Sequence, residues 1–243
     1  VIMTGVKKQV EMEQFRIVNG TQKSVRTDLV NMILSTLAKT QGDKSIDLKV
    51  QWRVVVSDCV TLLNKNAVAP WHDRIVMPDS RAYSKKEKKE DPRKEHLRIV
   101  RATSFMTSLK PLHVYLQSVL GPAKTIEDRT EVMFRAVSAF WSALRELNPD
   151  SFSKPGFSVI QKTPGLFSLH TLCHQVMADI YQGDQNNFSR KNFVRKLRSI
   201  DELTDSGFWA TPHEGQEAGE ASQYGSMKGF AELASKLLDG YQA

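Results

Sequence analysis

The sequence predicts a mainly α-helical protein of the α+β class, with a small amount of β-structure at its N-terminus. Three observations support this fold class. Apolar residues recur at helical spacing in several segments, most clearly over residues 126–147. Residue pairs suited to helix ends, Thr163-Pro164 and Asn148-Pro149, flank such segments. The apolar opening at residues 1–6 instead resembles a short strand, the edge of a sheet of which most would lie upstream.

The first hundred residues contain three predicted helices and one charged loop. Helices are expected at about 8–18 and 24–40, and Gln41-Gly42-Asp43 ends the second one. Residues 47–65 contain three consecutive valines that suit a strand. Their apolar residues also form a helical stripe, and the segment is longer than a typical strand, so we predict a helix. Residues 76–96 are rich in Lys and Glu, and we expect an exposed, mobile loop there.

The remainder of the chain is predicted to be mostly helical, with a loop at 211–225, and residues 97–101 form either a short strand or the lead-in to the next helix. Helices are expected at 102–120, where Pro111 bends or splits the helix, at 126–147, and after Thr163, which would be the N-cap. Ser189 would cap a short basic helix at 190–200, and the last helix spans about 226–239. We divide the chain into a first segment of helices (1–75), the exposed charged loop (76–96) and a helical domain (97–243).

Composition limits the class of protein. A chain of 243 residues, 40% of them hydrophobic, can form one large domain or two small ones. It has no apolar run long enough for a membrane helix, and we expect no signal peptide and a cytoplasmic protein. Its two cysteines, Cys59 and Cys173, lie in helical patterns and are expected to be buried thiols.

Positive charge is concentrated in the first part of the chain. Residues 1–101 contain 20 Lys and Arg against 12 Asp and Glu, a net charge of +8, whereas residues 102–243 have a net charge of −1. A basic half suggests a polyanionic partner, most often nucleic acid. Part of the excess comes from the mixed-charge run at 85–91, which a solvated linker explains equally well.

The connection between the first two helices carries an unusual set of polar residues. Asn19, Gln22, Lys23 and Arg26 surround the start of the second helix, where free backbone N–H groups and the helix dipole favour an anion. These four residues are therefore candidates for binding a phosphate or a nucleotide. An ordinary helix connection with a solvated face fits them as well, with Asn19 ending the first helix.

The same segment carries a family resemblance. The run F-R-I-V-N-G-T-Q-K-S-V-R-T-D-L at 15–29 resembles a segment of DGQHR-domain proteins, the family of the DndB-type regulators of DNA phosphorothioation. N-A-V-A-P-W-H-D-R-I at 66–75, K-T-P-G-L-F-S-L at 162–169, Trp209 and G-S-M-K-G-F at 225–230 follow in the same order. The Asp-Gly-Gln-His-Arg signature itself does not occur in the chain. The resemblance implies a C-terminal portion whose signature lies upstream.

The resemblance also implies a function. DndB-like proteins suggest a DNA-binding regulatory component of a prokaryotic DNA-modification or defence system, active in transcription regulation. The family is distantly similar to ParB-type nucleotide-binding folds, and in that comparison the four polar residues of the connection would contact a nucleotide phosphate. A nucleotide is thus the cofactor that the resemblance suggests, and no metal is expected. Homo-oligomers and modification-system proteins are further partners.

The predicted basic helix is the candidate DNA-binding surface. Phe193, Val194, Leu197 and Ile200 would face inward, leaving the cations on the outer face. The candidate DNA-binding residues are Arg190, Lys191, Arg195, Lys196 and Arg198. A basic outer face without any ligand is equally compatible with this pattern.

No catalytic constellation is visible in the sequence. His170, Cys173 and His174 have a spacing that can bind a metal, but their apolar helix favours core histidines. His72 and Asp73 are adjacent, and adjacent side chains seldom form an acid–base pair. Two other functions remain open: a nucleotide-hydrolysing or DNA-processing enzyme with catalytic residues upstream, and a protein-interaction scaffold.

Overall fold

The structure is predominantly α-helical, as the sequence predicts. The computed structural model describes residues 8–21, 27–91, 94, 97–121, 124–213 and 217–242. The protein is 71% helical, and the described residues contain eleven α-helices and one two-stranded sheet. The helices are α1 (Lys8–Thr21), α2 (Thr27–Gln41), α3 (Leu48–Lys65), α4 (Lys85–Glu90), α5 (Ala102–Leu120), α6 (Ile126–Leu147), α7 (Pro149–Ser153), α8 (Thr163–Tyr181), α9 (Arg190–Leu197), α10 (Asp201–Thr204) and α11 (Met227–Gln242). The strands are β1 (Ile75–Val76) and β2 (Val100–Arg101).

Four long helices form the centre of the protein. α3 packs against both α5 and α6, and α5 packs against α8. α9 covers α6, and α11 covers α8. The sequence of α6 explains its position, because Val132, Ala136 and Phe140 recur at helical spacing and are buried. Thr125 and Asp128 form a capping box at its start, and the predicted bounds of this helix are confirmed.

The ambiguous segment at 47–65 is a helix, as predicted. Asp47 caps α3 by accepting a hydrogen bond from the backbone N–H of Lys49, at 2.8 Å. The three consecutive valines, Val54 to Val56, are all buried because α2, α5 and α6 surround this helix. Burial on several sides, rather than strand formation, therefore explains the local run of β-branched residues.

Aromatic side chains fill the centre of the core. Trp71, Trp141 and Trp209 are fully buried. Trp71 meets Phe105 and Trp141 edge to face, with ring centroids 4.7 Å and 4.8 Å apart. Such contacts add about 0.5–1.5 kcal/mol to the stabilisation from buried area. The loop that carries Trp71 is thereby anchored to α5 and α6.

The described strands form one short parallel pair. β2 lies within residues 97–101, so the strand is the alternative that the structure confirms there. It pairs with β1, Ile75 with Val100 and Val76 with Arg101. β1 was not predicted, because two residues are too few to show a strand period. The strand predicted at 1–6 lies outside the described residues.

Pro111 does not split the helix predicted at 102–120. α5 is continuous from Ala102 to Leu120, with Pro111 in its interior. A proline removes one hydrogen bond, the one to the carbonyl four residues earlier, at Thr107. Pro111 and Thr107 are both exposed, so water can hydrogen-bond that carbonyl. Tertiary packing of the opposite face, which includes Phe105 and Leu109, maintains the helix.

The segment predicted as a loop at 76–96 contains the short helix α4. Ser84 Oγ accepts from the backbone N–H of Glu87 at 3.2 Å, and the Glu87 carboxylate accepts from the N–H of Ser84 at 2.9 Å. This capping box provides partners for N–H groups that would otherwise lack them at a helix start. The described side chains between residues 81 and 91 are exposed or half-buried.

Two predicted helix ends can be compared with the structure. α2 ends at Gln41, and Gly42 follows with a φ of 81°, as Gln41-Gly42-Asp43 predicts. Thr163 is not the N-cap of α8, because the helix begins at Thr163 and Lys162 is the capping residue. Lys162 provides no side-chain cap. Pro164 lies in the first turn, where its fixed φ and missing N–H are tolerated.

One hydrophobic cluster includes residues from both sides of the charged segment at 76–96. It extends from Leu34 on α2 through α3, α5, α6 and α8 to Leu237 on α11. The division into 1–75, 76–96 and 97–243 stays a prediction. Among the described residues, no helix is both long and apolar enough to cross a bilayer.

Candidate functional site

The polar connection between α1 and α2 lies largely outside the described residues. This applies to Gln22, Lys23 and Arg26, so their role in binding a phosphate or a nucleotide stays a prediction. The backbone of Asn19 lies inside α1, which continues to Thr21. Asn19 therefore does not end the helix as expected. The predicted end of α1 at residue 18 is too early, because an Asn-Gly pair costs only about 1.5 kcal/mol within a helix.

The basic helix α9 is oriented as the sequence predicts. Ser189 Oγ accepts from the backbone N–H of Asn192 at 3.3 Å and caps the helix. Phe193 and Leu197 are fully buried, and Phe193 meets Phe140 of α6 edge to face at 5.5 Å. These contacts fix the helix on α6 and leave its charged side chains on the outer surface.

α9 ends at Leu197, three residues before the predicted end, and Arg198 is its C-cap. The cations of α9 and Arg198 differ in their ion pairing. Arg190 Nε lies 3.3 Å from Glu146 Oε2 on α6. Within the described part of the chain, Lys191, Arg195, Lys196 and Arg198 form no ion pair with a carboxylate. Lys196 is half-buried, and the other three are exposed.

The helix dipole accounts for only some of these charges. A cation is favourable near the C-terminal end of a helix, where Arg195 and Lys196 lie. Lys191 lies in the first turn, where the dipole disfavours a cation by about 0.3–1 kcal/mol. Helix stability therefore gives no reason for Lys191 at that position.

A pocket of about 410 Å³ lies beside the last turns of α3, and we call it the α3–α5 pocket. Its buried lining is apolar and includes Val60, Ile75, Ala102 and Met106. The polar and charged lining residues are Ser57, Thr61, Asn64, Lys65, Asp73, Asp79, Ser80 and Arg98. None of these residues was predicted to form a site, because they come from three separate segments and share no spacing.

Two residues of this pocket have a strained backbone. Asp73 has a φ of 54° and Arg98 a φ of 53°, and they are two of the three non-glycine residues with positive φ in the described chain. Such a conformation costs about 1–3 kcal/mol and is frequent at functional sites. The N–H of Arg98 donates to the carbonyl of Asp73 at 2.9 Å, so the two strained residues support one another.

Asn64 joins the end of α3 to this loop. Its backbone carbonyl accepts from the N–H of Asp73 at 3.0 Å, and its Oδ1 accepts from the N–H of Ile75 at 2.9 Å. The end of α3, the loop and the segment around Arg98 are therefore linked by consecutive hydrogen bonds. A pocket built in this way is preorganised, because its walls are held before any ligand enters.

Arg74 anchors the other side of the loop in the protein interior. Its guanidinium donates to Gln161 Oε1 and to the carbonyl of Phe152, and Gln161 Nε2 donates to the carbonyl of Pro70 at 2.8 Å. Burial, with a smaller effect of Arg145, lowers the pKa of Arg74 to about 10, so it remains a cation at neutral pH. The segment at 66–75 is thus fixed to the protein interior and has a structural role.

His170 is a core histidine, as its apolar helix predicts. It is fully buried, and the indole N–H of Trp141 donates to its Nε2 at 2.9 Å. Its Nδ1 lies 2.8 Å from Ser108 Oγ, which donates to the carbonyl of Phe105. Because Nε2 accepts, the proton must be on Nδ1 and is donated to Ser108. Neither ring nitrogen is left for a metal.

The remaining candidates from the sequence were the adjacent pair His72 and Asp73 and a possible metal-binding cluster. His72 Nε2 and Asp73 Oδ2 lie 3.6 Å apart, so these adjacent side chains do meet, contrary to expectation. Both are substantially exposed, with 42% and 60% of their side chains accessible, which weakens their interaction. Among the described residues, no group of three or more His, Cys, Asp or Glu side chains could hold a metal ion.

Comparisons with known proteins do not identify this chain. No protein-family model, curated protein or solved structure matches it.

Proposed function

We propose that this chain is a DNA-binding regulatory component of a prokaryotic DNA-modification or defence system, similar to the DndB-like members of the DGQHR-domain family. α9 would lie along the DNA backbone and contact phosphates. The residues that make these contacts are Arg190, Lys191, Arg195, Lys196 and Arg198. Asn19, Gln22, Lys23 and Arg26 would form a second phosphate contact, to DNA or to a bound nucleotide.

The unpaired cations of α9 carry this proposal. Lys191, Arg195 and Arg198 are exposed and form no ion pair among the described residues. Lys191 also opposes the helix dipole, so an external anion is the group that would stabilise it. DNA presents a row of phosphates at regular spacing, which suits several cations along one helix face.

The proposed binding is electrostatic. Phosphate contacts fix position and orientation on DNA, and they carry no sequence information. The net charge of +8 on residues 1–101 would increase the rate of encounter with DNA. We therefore expect modest affinity, little sequence preference and a steep dependence on salt.

The test is a fluorescence anisotropy titration of duplex DNA at several salt concentrations. With five or six contacted phosphates, affinity should fall roughly 500- to 1,800-fold between 50 and 200 mM salt. The triple variant K191A/R195A/R198A should bind more weakly. The slope of log affinity against log salt should become about 2.7 less steep, because three contacts are lost.

A second triple variant, K44A/K86A/K228A, is the matched control. It removes the same charge from three exposed lysines on separate elements. It should retain most of the affinity and the salt dependence of the parent protein. Equal losses in both variants would mean that binding follows net charge alone, and unchanged affinity in the α9 variant would remove this helix from the interface.

A further inference from the structure

The charges at the opening of the α3–α5 pocket do not neutralise one another. Lys65, Asp73 and Asp79 are exposed and Arg98 is half-buried. In the described part of the chain, Lys65, Asp79 and Arg98 form no ion pair, and Asp73 pairs only with the neighbouring His72. Two cations and two carboxylates therefore line one cavity and remain available to a ligand.

Arg98 is held in place by contacts of its backbone and of its guanidinium. Its backbone N–H donates to the carbonyl of Asp73, and its Nη1 donates to the carbonyl of Arg81 at 3.1 Å. Its guanidinium carbon also lies 4.6 Å from the ring centroid of Tyr83. A guanidinium has five N–H donors, so others remain after these contacts. A fixed guanidinium loses little freedom when it binds a carboxylate.

The lining changes from charged to apolar with depth. The charged residues are exposed or, in the case of Arg98, half-buried, whereas Val60, Ile75, Ala102 and Met106 are buried. A ligand that fits this lining has an apolar body, which enters the pocket, and charged groups that stay at the opening. The volume of about 410 Å³ lies within the range of small-molecule sites, about 300–1,000 Å³, and suits a molecule of dipeptide size.

We propose that the α3–α5 pocket binds a small zwitterion of dipeptide size with an apolar body. Lys65 and Arg98 hold its carboxylate, and Asp79 holds its amino group. Ser57, Thr61 and Ser80 offer hydroxyl groups to the polar atoms between its carboxylate and its amino group. The site shares no residue with α9 and goes beyond the proposed contact with DNA.

The balance of charges selects against other ligand classes. A multiply charged anion would meet two carboxylates at the opening, and like charges at short distance repel. A simple cation would be repelled by Lys65 and Arg98. A zwitterion satisfies both signs at once, and its apolar body removes buried lining from water.

The test compares one dipeptide with its charge-blocked forms in ligand-observed NMR titrations of the full chain. The probes are Leu-Phe, N-acetyl-Leu-Phe and Leu-Phe amide. Leu-Phe should bind, and each blocked form should bind at least about tenfold more weakly, because it lacks one charge-assisted hydrogen bond. D79N should lose the preference over the N-acetyl form, and K65A should lose most of the preference over the amide.

K49A and D150N are the matched controls, since both residues are exposed and lie outside the pocket lining. They should leave all three affinities unchanged. Binding of the blocked forms as tight as that of Leu-Phe would overturn the proposal. So would failure of all three probes to bind, or unchanged preferences in both D79N and K65A. None of these results depends on the affinity for DNA.

Discussion

Individual buried residues show how the environment determines the chemistry of a side chain. Burial lowers the pKa of His170 to about 3, and burial with a smaller effect of Arg129 lowers the pKa of His113 to about 4. Burial also raises the pKa values of Cys59 and Cys173. These four groups are uncharged at neutral pH, so they act as core residues.

The two histidines make stability depend on pH. Both have pKa values near 6.5 in the unfolded chain, so below pH 6.5 the unfolded state binds protons that the folded state does not. The free energy of unfolding should therefore fall as pH drops from about 6.5 to about 4, by up to ~1.4 kcal/mol per pH unit for each histidine. Urea denaturation at a series of pH values measures this slope.

His113→Gln and His170→Gln should each reduce that slope by up to ~1.4 kcal/mol per pH unit, which corresponds to one proton. Leu169→Ala, a buried substitution on the same helix as His170, is the control for loss of stability. It should lower stability at every pH and keep the slope. An unchanged slope in both glutamine variants would mean that other groups control the acid sensitivity.

Single residues were predictable from sequence only where their neighbours indicate their environment. The apolar helix around His170 predicts burial, and the structure confirms it. The meeting of His72 with Asp73 was not predictable, because it depends on the left-handed backbone at Asp73. The pocket residues Lys65, Asp79 and Arg98 converge only through the chain path, which no local pattern records.

At the scale of elements, predictability depends on length. α3 and α6 are long enough for several repeats of the apolar stripe, and both are correctly predicted. β1 has two residues and α4 has six, so a tertiary contact or a capping box determines them. Pro111 shows the reverse case, in which packing of a long helix overrides a strong local signal.

Pro111 provides a test of that competition. Pro111→Ala restores the missing hydrogen bond and removes the ring from the interior of α5. A proline costs about 3 kcal/mol relative to alanine inside a helix, and its restriction of the unfolded chain offsets about 1 kcal/mol. The free energy of unfolding should therefore rise by about 2 kcal/mol in urea denaturation.

Gln117→Ala, at another exposed position of α5, is the matched control and should change stability by less than about 0.5 kcal/mol. A lower stability of Pro111→Ala would contradict the expectation. It would mean that α5 depends on the conformation that the proline ring imposes.

At the scale of the whole molecule, the main question is how many units fold together. The charge pattern and the charged segment at 76–96 suggest a boundary in the sequence. The hydrophobic cluster nevertheless includes α2 and α3 on one side of that segment and α5, α6 and α8 on the other. Long-range packing of this kind leaves no local signal, so the sequence could not decide between one unit and two.

The cluster predicts one cooperative unfolding transition. Leu63 on α3 and Leu169 on α8 are both fully buried, on opposite sides of the charged segment. Replacing either with Ala should cost about 2–5 kcal/mol. Because the two residues share one core, each substitution should shift the whole calorimetric transition, by roughly 2–4 °C per kcal/mol.

Leu62→Ala is the matched control, because Leu62 neighbours Leu63 but is 39% exposed. It should shift the midpoint much less, since a partly exposed side chain loses less buried surface and leaves no closed cavity. Two independently folding units would give a different result. Leu63→Ala would then move only one of two resolved transitions, Leu169→Ala would move the other, and the calorimetric enthalpy would exceed the van't Hoff enthalpy. A single transition that both buried substitutions lower together would instead mean that the helices on both sides of the charged segment fold as one unit.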